Sequence, residues 1–118
     1  MDIFNVFYLE ASRRLPRLPA EHPCSRLHGH SFRVEVWVSG PLDPELGWVR
    51  DFADLQAAWQ PIHAALDHGY LNDIAGLENP TSEHLAIWIW DHLKLTLPGL
   101  ARVGVMETHA SGCRYSGV

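Results

Sequence analysis

Ser31-Phe32-Arg33-Val34-Glu35-Val36-Trp37-Val38-Ser39 is the stretch on which the fold turns. Phe32, Val34, Val36 and Val38 alternate with Arg33, Glu35 and Trp37, the period of two that a half-buried strand requires. Gly40-Pro41-Leu42-Asp43-Pro44-Glu45-Leu46-Gly47 then reads as a turn region, with Trp48 to Arg50 returning as a short paired strand. Upstream, Ile3 to Glu10 is rich in aromatic and β-branched residues and reads as a strand. Between these strands Pro16, Pro19 and Pro23 remove backbone donors and make a loop of Arg13 to Cys24.

Beyond Asp51, an N-cap, Phe52, Leu55, Trp59, Ile62 and Leu66 recur at helical spacing. Pro61 is expected to kink or divide that helix. After a turn-like stretch from Asp67 to Pro80, Thr81 or Ser82 caps a second helix with an inner stripe of Leu85, Trp88, Ile89 and Leu93. Pro98 and Gly99 stop it, and Ala101 to Thr108 and Arg114 to Ser116 read as closing strands. The order ββ, α, α, ββ predicts one α+β domain over residues 1–118, with two helices on one face of a four-stranded antiparallel sheet.

The 118 residues are 47% hydrophobic and 19% charged, the balance of a globular chain of one domain. Five tryptophans, with Ile87 and Trp90 off the helical stripe, point to aromatic surface covered by other subunits. A net charge of −5 argues against a nucleic-acid or membrane-surface binder. The charge is uneven: residues 10–33 hold Arg13, Arg14, Arg17, Arg26 and Arg33 against Glu10 and Glu21. That basic segment suits a small anionic ligand, or is a solvated loop. Asp2 and Asn5 interrupt the only early apolar stretch, and Leu85 to Trp90 is far too short to span a bilayer. With only Cys24 and Cys113 there is no disulfide framework, and a reduced, cytoplasmic setting is expected.

Four features could carry chemistry. If the strand beginning at Ser31 extends back through Gly29, His28 and His30 project from one face. They could then share a metal such as Zn²⁺, or simply bond to backbone at a strand edge; a catalytic zinc also needs a third protein ligand. Cys24, among arginines, is a thiolate nucleophile or base, or a small buried hydrophobe. Asp67-His68 is an acid–base couple, or surface structure. Glu107 shares strand parity with Val103 and Val105, so its carboxylate needs a donor. Either a protein group supplies it, or a planar amidine-like ligand edge, as in a pterin or guanine ring, does so through two parallel hydrogen bonds.

Glu10-Ala11-Ser12, Cys24-x-x-x-His28-Gly29-His30, Gly47-Trp48-Val49, Leu66-Asp67-His68, Tyr70-Leu71-Asn72-Asp73, Asn79-Pro80-Thr81-Ser82-Glu83 and Glu107-Thr108 follow one another over nearly the whole chain. In this order they resemble the 6-pyruvoyl-tetrahydropterin synthase family, and within it the bacterial branch that makes 6-carboxy-5,6,7,8-tetrahydropterin in queuosine synthesis. The resemblance implies the tunnelling fold, in which strands of several subunits close into a barrel with active sites between subunits, here a homo-oligomer and by family a hexamer. It implies zinc as cofactor, with His28 and His30 as ligands. Cys24, Asp67 and His68 match the catalytic trio, the cysteine and the Asp-His pair coming from neighbouring subunits. Glu107 matches the pterin anchor, helped by Thr81, Ser82 and Glu83. The implied reaction converts 7,8-dihydroneopterin triphosphate to 6-carboxy-tetrahydropterin with release of acetaldehyde and triphosphate, and the basic segment suits that triphosphate. No nucleic acid or membrane partner is implied.

One position departs from the family. Its pattern, like Glu-Ala-Ala-His-Arg-Leu-Pro, carries a third zinc-binding histidine, whereas here Glu10-Ala11-Ser12-Arg13-Arg14-Leu15-Pro16 puts Arg13 in that place. Arginine has no lone pair to give a metal, and no histidine precedes His22. His22 could swing in as third ligand, zinc could bind through His28, His30 and water, or the Arg13 guanidinium could replace the metal. The alternative function is a metal-deficient pterin-binding paralogue with no activity, or one that keeps the pocket and performs aldol cleavage or epimerisation of a neopterin side chain.

Overall fold

The computed structural model describes residues 1–118. Strand β1 (Asp2–Arg13) pairs antiparallel with β2 (His28–Ser39) in unbroken register, from Asp2 opposite Ser39 to Arg13 opposite His28. Both strands therefore run further than their apolar alternation alone indicates, each ending at a charged or imidazole side chain. Helix α1 (Phe52–Leu66) follows, then a two-residue strand β3 (Gly69–Tyr70), helix α2 (Ser82–Leu93), β4 (Leu100–Thr108) and β5 (Ser111–Tyr115). The sheet order is β3-β1-β2-β4-β5.

The sheet thus has five strands rather than four, and it is not wholly antiparallel, because β3 lies parallel to β1 through Ala11–Gly69 and Ser12–Tyr70. Trp48 to Arg50 does not return as a strand. Both edges of β2 are already taken by β1 and β4, so no ladder is left for it. The segment closes instead as a turn, with Asp43 Oδ1 accepting from the Glu45 and Leu46 N–H groups at 2.8 and 3.0 Å. The last strand begins earlier than its apolar content suggests, at Ser111.

Helix α1 is capped by Asp51, whose side chain accepts from Ala53 N at 2.9 Å. Pro61 neither ends nor divides it; the residue lies on the exposed face, and Ala57, the carbonyl its ring leaves unpaired, is exposed to water as well. Phe52 is also exposed, so the buried stripe is Leu55, Trp59, Ile62 and Leu66. In α2 the cap is Thr81, accepting from His84 N at 3.1 Å, and the buried stripe is Ser82, Leu85, Ala86, Ile89 and Leu93. Trp88 is only half-buried and stacks on His92. Trp90 finds part of its cover within the chain, edge-on to Tyr115 at 5.6 Å, while Ile87 remains exposed. Both helices pack on the Phe32, Val34, Val36 and Val38 face of β2, which is sealed from solvent.

The opposite face of β2 is less simple than its alternation suggests. Glu35 is only 3% exposed. Its carboxylate accepts from Arg33 (2.8 Å), Trp37 Nε1 (3.1 Å) and both Arg114 Nε (2.9 Å) and an Arg114 terminal nitrogen (3.3 Å). Gly104 lies between Glu35 and Arg114 in the register; a Cβ there would come within 2.7 Å of Glu35 Oε1. The Arg114 bonds foremost hold the Glu35 pKa down from 4.5 to about 2, against the opposing effect of burial.

A depressed carboxylate stabilises the fold above its unfolded pKa and loses that contribution as pH falls through its folded one. Stability is therefore expected to drop between pH 4.5 and about 2. In Glu35→Gln, urea midpoints measured across that window should show a flatter slope. At neutral pH the variant should lose on the order of 2 kcal/mol, since arginines half open to water are left without their partner.

Candidate active site

The site grows out of the β1–β2 register. Leu9 faces Phe32, Ala11 faces His30 and Arg13 faces His28, so the helix-side face passes from core to polar groups within two rungs of the ladder. The His28 and His30 rings meet edge to face with centroids 4.9 Å apart. His28 Nδ1 is 2.7 Å from the Arg26 carbonyl oxygen. A carbonyl only accepts, so Nδ1 carries a proton. Nε2 is buried and has no donor. Burial, then the positive charge of Arg13, hold the His30 pKa below its ordinary value; Glu107 opposes them and His28 reinforces them.

Arg13 is 1% exposed. One terminal nitrogen donates to the Pro80 carbonyl at 2.9 Å, the other to Glu107 Oε1, and the guanidinium carbon lies 5.1 Å from the centre of the Phe32 ring. Its Nε–H is buried and unpaired. Glu107 Oε1 also accepts from Ser82 Oγ at 2.5 Å. Burial alone would raise the Glu107 pKa, but the bonds from Ser82 and Arg13 outweigh it and hold the carboxyl below the usual range. Both lone pairs of Oε1 are thereby engaged, whereas Oε2 bonds to no protein donor. The carboxylate that the sequence marks as anomalous is met by protein donors on one oxygen and open on the other.

Asp67 and His68 form a corner between α1 and β3. Asp67 Oδ1 accepts from Glu10 N at 2.9 Å, and His68 N donates to Glu10 O at 2.6 Å, so the two residues clamp the Glu10 backbone. His68 is the only non-glycine residue with positive φ, at 57°. Asp67 Oδ2 lies 2.6 Å from His68 Nδ1, which orients the ring and leaves Nε2 free. The Glu10 N–H and then His68 hold the Asp67 carboxyl below its ordinary pKa. A cavity of about 350 Å³ opens here, lined by Glu10, Ser12, His30, Ser31 and His68 among others.

The fold thus joins His28, His30, Arg13, Glu107 and Ser82 in one cluster and gives His30 and His68 a shared cavity. Cys24 lines no part of that cavity; it sits in the short 3₁₀ turn Pro23–Ser25, where its carbonyl accepts from Leu15 N at 2.8 Å. Thr81 is occupied as helix cap, and Glu83 is exposed in the first turn of α2. His22 accepts from Cys24 N through Nδ1 at 3.1 Å and so serves its own turn. The Pro80 carbonyl and the Glu10 backbone were not legible as parts of a site, because main-chain groups leave no mark in a residue pattern. His28 and His30 supply two metal donors, and no three His, Cys, Asp or Glu side chains gather to hold an ion. With a guanidinium in the third place, this donor set does not fit a zinc centre.

The sequence profile of the family described as 6-pyruvoyl tetrahydropterin synthase matches residues 2–118. A Synechocystis protein named 6-carboxy-5,6,7,8-tetrahydropterin synthase is 45% identical, over 96% of this chain and 91% of its own. A Pyrococcus furiosus protein named dihydroneopterin monophosphate aldolase is 38% identical, over 73% of this chain and 75% of its own. The Caenorhabditis elegans 6-pyruvoyl tetrahydropterin synthase structure superposes with a TM-score of 0.91 at 26% identity, covering 100% of this chain and 96% of that one.

Ser82→Ala removes a buried donor from Glu107 Oε1 and should cost about 1–2 kcal/mol in urea unfolding. A loss no larger than that of an exposed serine would show that the Ser82–Glu107 bond contributes nothing.

Proposed function

The chain belongs to the 6-pyruvoyl tetrahydropterin synthase family, and on that premise we propose that it is a lyase converting 7,8-dihydroneopterin triphosphate to 6-carboxy-5,6,7,8-tetrahydropterin. Acetaldehyde and triphosphate leave, and the product serves queuosine synthesis. The observation that carries this reading is the 45% identity, nearly end to end, with a relative bearing that synthase name. The reaction consumes water and needs no outside oxidant or reductant, because the ring gains the hydrogens that the side chain loses. Its demands on the protein are ring binding and proton movement.

Glu107 is the ring anchor in this reading, offering Oε2 to a ring N–H, with Thr81, Ser82 and Glu83 beside it at the start of α2. His68, oriented by Asp67, and Cys24 carry protons between ring and side chain. Since Cys24 lines no part of the His68 cavity in its own chain, the reading takes it from a neighbouring subunit. Residues 1–118 then act as one pterin-synthase domain of a homo-oligomeric barrel, a hexamer by family, working in the cytoplasm without nucleic acid. No helix is long and apolar enough to cross a membrane. Zinc is general in the family, and His28 and His30 are the residues corresponding to its ligands; because the set is incomplete, none of these steps runs through a metal.

The identity with the aldolase supports a second reading, retro-aldol cleavage of the dihydroxypropyl side chain. Product analysis separates the two. Incubation with 7,8-dihydroneopterin triphosphate should yield acetaldehyde and triphosphate; 6-hydroxymethyl-7,8-dihydropterin with glycolaldehyde triphosphate would select the aldolase, and no product would reject both. Cys24→Ala and His68→Ala should each lower kcat at least ~100-fold. Glu107→Gln should act mainly through KM, and light scattering should give a mass above that of one chain.

A further inference from the structure

A buried arginine in the midst of two imidazoles is the feature this reading leaves unexplained. Arg13 is sealed from solvent and held at three points, by the Pro80 carbonyl, Glu107 Oε1 and the Phe32 ring. Its position is directly opposite His28, with His30 one rung further in, so a cation is built into the mouth of the histidine pair. A divalent ion bound by His28 and His30 would lie against that positive charge with two protein ligands in place of three or four.

We propose that the Arg13 guanidinium is the resident cation of this site in place of a metal ion. Arg13 and His28 are paired across one rung of the ladder, and the nitrogens Arg13 Nε and His28 Nε2 are both buried without a partner, so a guanidinium and not a third ligand stands beside the histidine pair. The inference rests on the reading above and deepens it, since it says which cation that reading's site holds. It also separates the cation from chelation: Arg13 cannot be stripped away.

The test uses the full chain, dialysed against a chelator, with zinc measured by elemental analysis beside an Arg13→His variant. The unmodified chain should retain below about a tenth of an equivalent, and the variant should take up about one. Near-stoichiometric zinc in the unmodified chain overturns the proposal, and so does zinc in neither chain, because Arg13 is then not what excludes it. Should Arg13→His fail to fold, zinc titration of the unmodified chain against a chromophoric chelator, beside His30→Gln, decides: equal curves support the proposal, and a site lost in His30→Gln overturns it. Failure of the proposed reaction would appear separately, as absence of acetaldehyde with these binding results intact.

Discussion

The ion pair between buried Arg13 and half-buried Glu107 is the constraint that organises this end of the molecule. It joins the last residue of β1 to the end of β4, and through Pro80 and Ser82 it ties both to the start of α2. Taking a guanidinium and a carboxylate out of water is costly, and mutual attraction offsets the cost only when the remaining donors and acceptors are met. Here they are met in part. Arg13 bonds to Pro80 and Glu107, and Ser82 bonds to Glu107, yet the Arg13 Nε–H and Glu107 Oε2 have no partner within the chain. A pair serving stability alone would gain by closing them.

Glu35 supplies the comparison within the same sheet. It is the more deeply buried of the two carboxylates; its two oxygens take four hydrogen bonds from Arg33, Trp37 and Arg114, and Gly104 gives up its side chain to admit them. Nothing is left to offer a ligand. Glu107 spends both contacts on one oxygen and presents the other beside a helix start. The two carboxylates differ both in side-chain exposure, 4% for Glu35 against 33% for Glu107, and in saturation, and the Glu107 carboxylate keeps an oxygen without a protein donor.

The sequence revealed these groups unequally, for physical reasons. The alternation from Phe32 to Val38 announced β2 because one face of that strand is wholly buried, and the spacing of Leu55, Trp59, Ile62 and Leu66 announced α1 likewise. β3 was silent: two residues are too few to show a period, and Gly69 and Tyr70 are a strand only because Ala11 and Ser12 lie beside them. Glu35 looks like an ordinary outward residue because Arg114, which makes two of its four hydrogen bonds, comes from β5 and the space that admits it is left by Gly104 of β4. Glu107 stands out by parity and Arg13 by its motif, each in isolation. Their meeting spans 94 positions in the chain, and no local pattern carries such a contact.

Replacing a metal by arginine changes what the site can do as well as what it holds. A metal ion draws electron density from a bound oxygen through coordination, whereas a guanidinium acts through directed N–H donors and a delocalised charge. The guanidinium keeps that charge at any physiological pH and bonds to Pro80 and Glu107 without engaging either imidazole, where coordination would consume a lone pair of each. Polarisation is weaker in exchange, so in the proposed reaction a larger share of the rate enhancement falls to the positioning of His68 by Asp67 and to the open oxygen of Glu107.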